Sequence, residues 1–543
     1  MGLFFIVQAV LSTSVACVSL WLLSRYTGQR SLRIVPGPSS PSFIVGNMKE
    51  MFSFTSIAYQ DSLNKLYGKV VKIKGLLGVT TLVISDTKAL HHILIKDQYT
   101  FEETDWFLES NRVIFGPGLL STLGASHRKQ RKILNPAFSI NHMRRMIPMF
   151  QSLTRQVQGI LRKELADGPK ELDILEWMGK LALELIAQAG LGHSFGALQG
   201  KDDTYAYALK AYLPTVSSAR IWRTLVPVYT RNVPKKLQRS LAETIPSTTL
   251  KKLIGIADIF YDRSKYVWDR KKALHAQGDD SMASELGEGR DLMSILLRSN
   301  TAANEEDRLP DEELLAQMAT LLFAGTDTTS SALSRILHQL ALHPNVQEKL
   351  RKETIAVDAG KGELDYDSLI ALPYLDAVCR ETLRLFPPVH FVQRSSRKEY
   401  LLPLAHPMRG TDGRDYTELL VPNNTTVMVN ILGVNRDPDI WGPDAHEWKP
   451  ERWLSPLPES VVDSRIPGVY SNQMTFIGGG RACIGFKFSQ LEMKVVLSQL
   501  LSVFRFSEPA EKEIIWRWGA VVSPSISGDA SGRSQLPMKV SLV

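Results

Sequence analysis

Three kinds of hydrophobic pattern divide the chain. Residues 3–23, LFFIVQAVLSTSVACVSLWLL, carry no charge. About 20 apolar residues in a helix, rising about 1.5 Å each, suffice to cross a hydrocarbon layer. Short β-like runs follow at Val70–Lys74 and residues 80–85, which predicts strands. Beyond about Ser126 the spacing turns helical. Residues 175–189 are apolar at helical intervals. Residues 310–343 predict one long helix, opened by Asp311, Glu312 and Glu313 and closed at His343-Pro344. Residues 277–290 are mostly small, polar or acidic and predict an exposed loop. Between Tyr400 and Thr426, Pro, Gly and Asn alternate with short apolar runs, as in hairpins and turns, and the stretch after Ile515 reads as strands. The sum is a mostly α chain with a small β region (α+β). It predicts a transmembrane anchor over residues 1–25, a basic, Pro-rich hinge over 26–40 and one large domain over 41–543.

Charge orients the anchor. MGLFF opens the chain without a basic residue, and Arg25, Arg30 and Arg33 follow the span. A secretory signal peptide carries its basic residues before the apolar stretch, whereas positive charge after the span predicts that everything downstream faces the cytosol. Pro36-Gly37-Pro38 cannot extend a helix and suits a hinge. The three cysteines, Cys17, Cys379 and Cys483, form no disulfide framework, which agrees with a reducing compartment. At 44% hydrophobic and 22% charged, the chain can bury a large core. Its net charge of +8 is dispersed, with no nucleic-acid tract. Those basic residues read either as a solvated surface or as a docking face for an acidic partner.

One segment changes the picture. In Phe476-Ile-Gly-Gly-Gly-Arg-Ala-Cys483-Ile-Gly485, three consecutive glycines let the backbone curl tightly. A helix-like run over 486–501 begins just after the cysteine, and its N-terminal dipole favours a thiolate there. A lone cysteine is usually a small buried hydrophobe; this setting points to a metal ligand instead. The pattern F-x-x-G-x-R-x-C-x-G resembles the haem-binding signature of cytochromes P450, carried here by Phe476, Gly479, Arg481, Cys483 and Gly485 without departure. The resemblance implies haem b with Cys483 as its axial iron ligand, and a thiolate that pushes electrons toward O–O cleavage. It also implies a propionate contact for Arg481.

Three further motifs follow in family order. Glu381-Thr-Leu-Arg384 puts a carboxylate and a guanidinium on one helix face, which alone reads as a surface pair of little energy. With Arg452 of Pro450-Glu451-Arg452-Trp453, the resemblance implies a buried Glu381–Arg384–Arg452 triad that holds the cysteine loop. Ala324-Gly325-Thr326-Asp327-Thr328-Thr329 reads alone as a weak helical turn. By resemblance, Gly325 makes room over the haem for dioxygen, and Asp327 and Thr328 relay protons. Gly124–Arg131 is similar to a W-x-x-x-R helix with His127 where Trp is common, which implies propionate contacts for His127 and Arg131. Arg394, after Pro387-Pro388, matches another propionate position.

The resemblance also implies an apolar pocket from Phe115, Phe323, Val389, Phe391 and Val392. The cluster over 221–229 reads equally as core or as a face against lipid. The implied fold is the cytochrome P450 fold, and the implied reaction is a monooxygenation using O2 and NADPH electrons delivered by a membrane reductase, with cytochrome b5 as a further donor. The implied location is the endoplasmic reticulum membrane, single-pass. Arg128, Lys129 and Lys132 mark a candidate docking face. Fungal members decorate terpenoids and other secondary metabolites, and the hinge, the insertion over 403–426 and Trp453 are similar to theirs. Fatty-acid or xenobiotic hydroxylation, a reductase-independent isomerase or dehydratase, and a non-enzymatic haem protein are the alternatives.

Overall fold

The computed structural model describes Gln8 and residues 28–200, 204–277, 291–302, 304–361, 364–470, 472–529 and 531–543. Apart from Gln8, the apolar span over 3–23 lies outside them, as does most of the loop expected over 277–290. No helix among the described residues is long and apolar enough to cross a membrane.

Contacts divide the described residues into two compact units. The smaller takes the described residues up to Thr104, with His390–Ala445 and Glu459–Arg481. Its sheet orders the strands Val70–Lys74, Thr80–Ile84, Thr426–Asn430, Phe391–Ser396 and Phe101–Glu102. All neighbours are antiparallel except Thr80–Ile84 with Thr426–Asn430, which run parallel. Strands over three hundred residues apart therefore pair side by side, a closure that no local pattern announces. Met51, Leu63, Val71, Ile73, Val83 and Met428 form a core there. The hairpin Tyr400–Arg409 with Asp415–Val421 breaks register between Pro403 and Met408, where Pro403 cannot donate to the ladder.

The expected hinge is not free. Leu32 and Val35 are buried, Gln29 bonds Thr80 through both its amide atoms, and the Lys72 N–H donates to the Pro36 carbonyl at 2.8 Å. A Cβ on Gly37 would lie 1.9 Å from the Lys72 carbonyl oxygen. Gly37 lets the chain lie flat against the first strand, so the described part of this segment is packed onto the sheet.

The larger unit holds Asp105–Val389, His446–Pro458 and Ala482–Val543 and carries most of the helices. Ile174–Leu191 starts where the Asp173 side chain accepts the Glu176 N–H, and stops at Gly192 in the left-handed region. The long helix is Asp311–Leu342, with three acids in its first turn and His343-Pro344 after its last. Phe486–Val503 begins two residues past Gly485's neighbour Ile484, close behind Cys483. A three-stranded sheet orders Lys170–Asp173, Pro537–Leu542 and Phe504–Ser507, and Ile514–Arg517 pairs with Ser523–Ile526. The helix-rich α+β expectation matches this architecture.

Candidate active site

In the larger unit, Cys483 sits just before the Phe486–Val503 helix. Its side chain keeps accessible surface. Burial pushes the thiol up; the Gly485 N–H and the Arg131 guanidinium oppose that shift by favouring the thiolate. Arg131 comes from the Gly124–Leu134 helix and donates to the carbonyl of Ala482 at 2.6 Å. It thus braces the backbone one residue before the sulfur, a contact the motif did not announce. His127 is buried on the same helix.

The Glu381 network is complete. Arg384 grips the carboxylate with two donors at 2.8 and 2.9 Å, and Arg452 adds a third at 3.3 Å. The Lys449 N–H donates at 3.1 Å and the Trp453 indole at 2.9 Å. Glu381 and Arg384 have no exposed side-chain surface and Arg452 keeps 6%. Sequence reasoning found the triad but missed Trp453 as a donor, although its place directly after Arg452 was a usable signal.

On the Asp311–Leu342 helix, the Thr326 and Thr328 hydroxyls donate back to the carbonyls of Leu322 and Ala324 at 2.7 Å each. Such bonds compete with the helical ladder around Gly325. A Cβ on Gly325 would meet Ile186 at 3.0 Å, so this glycine's first consequence is close packing of two helices. The exposed position on that turn is Ala324. Burial pushes the Asp327 carboxyl up to about 7, with Lys210 opposing. Thr329 reaches Ser489 at 3.2 Å and ties the long helix to the one behind Cys483.

Phe115 and Phe323 stack with centroids 5.0 Å apart, and Tyr212 meets both at 5.2 and 5.0 Å. Val389 is half-buried. The basic face expected at Arg128, Lys129 and Lys132 is partly neutralised: Lys129 donates to the Glu306 carbonyl at 2.6 Å and Lys132 lies 3.4 Å from Asp307.

The smaller unit holds the other signature residues. Gly479 has φ +77°, and a Cβ there would lie 1.8 Å from the Leu94 carbonyl oxygen; one on Gly480 would lie 2.4 Å from Gln98. Gln98 Oε1 also accepts the Gly480 N–H at 2.8 Å. The glycines are therefore demanded by close approach as well as by curl. Phe476 meets the Tyr470 ring edge-on at 5.7 Å. Arg481 lies 3.6 Å from Glu102, and the buried Arg394 lies 3.0 Å from Glu103. This acidic pair, adjacent at Glu102-Glu103, was not read from the sequence. Phe391 is partly buried and packs against the core of Met51, Leu63, Val71, Ile73, Val83 and Met428. Strand alternation turns Val392 to the opposite face.

Within the larger unit, the Cys483 sulfur beside the Gly485 N–H and the desolvated Arg131 guanidinium is a donor set of the kind that holds a thiolate-ligated haem. The family model of cytochrome P450 matches residues 36–527. The chain belongs to the cytochrome P450 family. It is 47% identical to cytochrome P450 monooxygenase 91 of Postia placenta, over 97% of this chain and 98% of that one. It is 41% identical to a ganoderic acid synthetase of Ganoderma lucidum over 97% of each. A cytochrome P450 monooxygenase of Hericium erinaceus is 35% identical over 99% and 98%. This P450 is thus a monooxygenase-family oxidoreductase with full-length fungal relatives, and the family implies haem and O2.

Proposed function

We propose that this P450 is a membrane-anchored, reductase-driven monooxygenase that inserts one atom of O2 into a lipophilic small molecule, a terpenoid or related secondary metabolite. The observation that carries the oxygenase reading is Asp327 beside Thr328 on the long helix, a carboxyl pushed by burial to about 7. A group balanced between its two protonation states near neutral pH can both take up and release a proton. Bound haem supplies the oxygen-activating iron. Cys483 would hold it from the sulfur, with the thiolate favoured by Arg131 and the Gly485 N–H, while Arg481, Arg394 and Arg131 would meet its propionates. Asp327 passes protons inward and the Thr328 hydroxyl hands them on. A reductase-independent isomerase or dehydratase has no use for that pair.

The terpenoid reading is supported by the apolar, aromatic character of Phe115, Phe323 and Tyr212 and by the relative named for ganoderic acid synthesis. An anchor over 1–25, with the endoplasmic reticulum as its membrane and the catalytic chain in the cytosol, follows from Arg25, Arg30 and Arg33 after the apolar span. Leu225, Val228, Leu237 and Leu241 are 45–60% exposed. They supply an apolar face that suits contact with lipid and a route in for lipophilic substrates.

The test is a spectral titration of the purified haem protein with terpenoids and, separately, with fatty acids, followed by product analysis with NADPH and reductase. A low-to-high-spin shift and an oxygenated product with terpenoids are expected. Fatty-acid products alone would overturn the substrate class, and product formation without reductase would overturn the electron route. Cys483→Ser should abolish the long-wavelength Soret band of the reduced carbon monoxide complex. Retention of that band would reject the ligand assignment.

A further inference from the structure

Arg223 is a desolvated cation with no acid to answer it. Its guanidinium carbon lies 4.3 Å from the ring centroid of Trp106, and its Nε is buried without a hydrogen-bond partner. Among the described residues it has no ion pair, although an acid stands next to Trp106 in the chain. That acid, Asp105, pairs instead with Arg231 at 2.5 Å. Burial pulls the Arg223 guanidinium down from its ordinary value, and the one group acting against this is Tyr212, whose own hydroxyl burial holds neutral. A buried charge is usually paired, because loss of its hydration is costly. Cation–π contact with Trp106 recovers part of that cost and leaves the buried Nε–H unsatisfied.

What lies next to Arg223 says what would complete it. Tyr212 sits between Arg223 and the aromatic cluster: its ring meets Phe115 at 5.2 Å and Phe323 at 5.0 Å, and Phe323 lies two residues before Gly325 on the oxygen-side helix. Cation, tyrosine and stacked phenylalanines form a continuous series running toward Asp327 and Thr328. An aromatic wall with one fixed cation at its end matches a molecule with an apolar body and one anionic end.

We propose that Arg223 receives the carboxylate of an acidic lipophilic substrate, so that the apolar body lies along Tyr212, Phe115 and Phe323 with the oxidised carbon at the far end from the acid. The assignment rests on the reading of this P450 as an oxygenase of lipophilic molecules and names the polar end of its substrate. A phosphate headgroup of the surrounding lipid presents the same anionic chemistry, and the experiment separates the two.

Imidazole-tipped decanoic, dodecanoic and tetradecanoic acids and their methyl esters serve as probes, because the imidazole reports binding through the haem spectrum without turnover. In detergent, free of phospholipid, the wild-type protein should bind at least one acid about tenfold more tightly than its ester, the size of one charge-assisted hydrogen bond. Arg223→Gln should bring acid and ester to equal affinity, Arg223→Lys should keep part of the difference, and Arg231→Gln should leave it whole. An intact carbon monoxide band confirms that each variant holds haem. Equal affinities in the wild-type protein at every chain length, or an acid preference that survives Arg223→Gln, would overturn the proposal. So would an Arg223-dependent effect that arises only when phospholipid vesicles are added, which would assign the arginine to a headgroup. Turnover of a neutral terpenoid alcohol with reductase is read in parallel. If it persists while the acid preference is absent, Arg223 is misassigned and the oxygenase reading stands; if the preference is present with no oxygenated product, the reverse holds.

Discussion

Two carboxylates in the larger unit, Glu381 and Asp327, are both surrounded by protein and meet opposite fates. Glu381 accepts from Arg384, Arg452, the Lys449 N–H and Trp453. Asp327 accepts no side-chain hydrogen bond among the described residues and has only Lys210 at electrostatic range, so burial pushes it up to about 7. The first is locked by partners and can do no chemistry; the second lacks partners and can exchange a proton near neutral pH. Burial alone does not distinguish a structural acid from a chemical one. The number of donors aimed at it does.

The largest expected effect comes from emptying the locked site. Glu381→Ala leaves Arg384 and Arg452 buried without their counter-charge, which should cost about 3–5 kcal/mol. A denaturation series should show a much lowered midpoint and poor haem retention, and a parent-like midpoint would deny the network its structural role. Next is Asp327→Asn, expected to lower product formation about 100-fold, the scale of a lost acid–base group.

The pH dependence sharpens the same point. Asp327 is protonated below about 7 and ionised above it, so proton donation should fall as pH rises through that value, with an inflection that Asn removes. The linkage has a matching sign. A carboxyl raised from its ordinary 3.8 stabilises the fold fully below that value and loses the contribution as pH rises through about 7. Thermal midpoints should therefore decline over that window in the parent more than in Asp327→Asn, and parallel curves would refute the shift. Thr328→Ala should keep haem and continue to consume NADPH while the product formed per NADPH drops several-fold, on the order of tenfold at most; unchanged coupling would remove the hydroxyl from the relay. The mildest change to the locked site is Trp453→Phe. It deletes one neutral donor to Glu381 and should cost about 1.5–3 kcal/mol with no shift in the pH profile.

The sequence made the site easier to read than the fold around it. Cys483 and the Asp327–Thr328 pair each sit in a run of fewer than a dozen residues, and the Glu381–Arg384–Arg452 set comes from two such runs, where spacing carries the signal. The long helix and the Ile174–Leu191 helix were legible because amphipathic periodicity and end signals are local. What escaped depends on distant partners. Glu102 and Glu103 beside Arg481 and Arg394, Arg131 on the Ala482 carbonyl, and Gly325 against Ile186 all join segments separated by well over a hundred residues. The packing of Phe391 on the cluster of Met51, Leu63 and Val71, which lie far upstream, escaped for the same reason.

The contact between Gly480 and Gln98 spans 382 residues. During synthesis the segment over 94–98 leaves the ribosome long before the glycine loop that it must brace, and for most of translation it has nothing to hold. The signature loop can take its shape only once nearly the whole polypeptide has been made. Loading of the cofactor is thereby a late event in the life of the molecule, and a nascent or C-terminally truncated chain, however well its earlier helices have formed, carries no finished cradle for it.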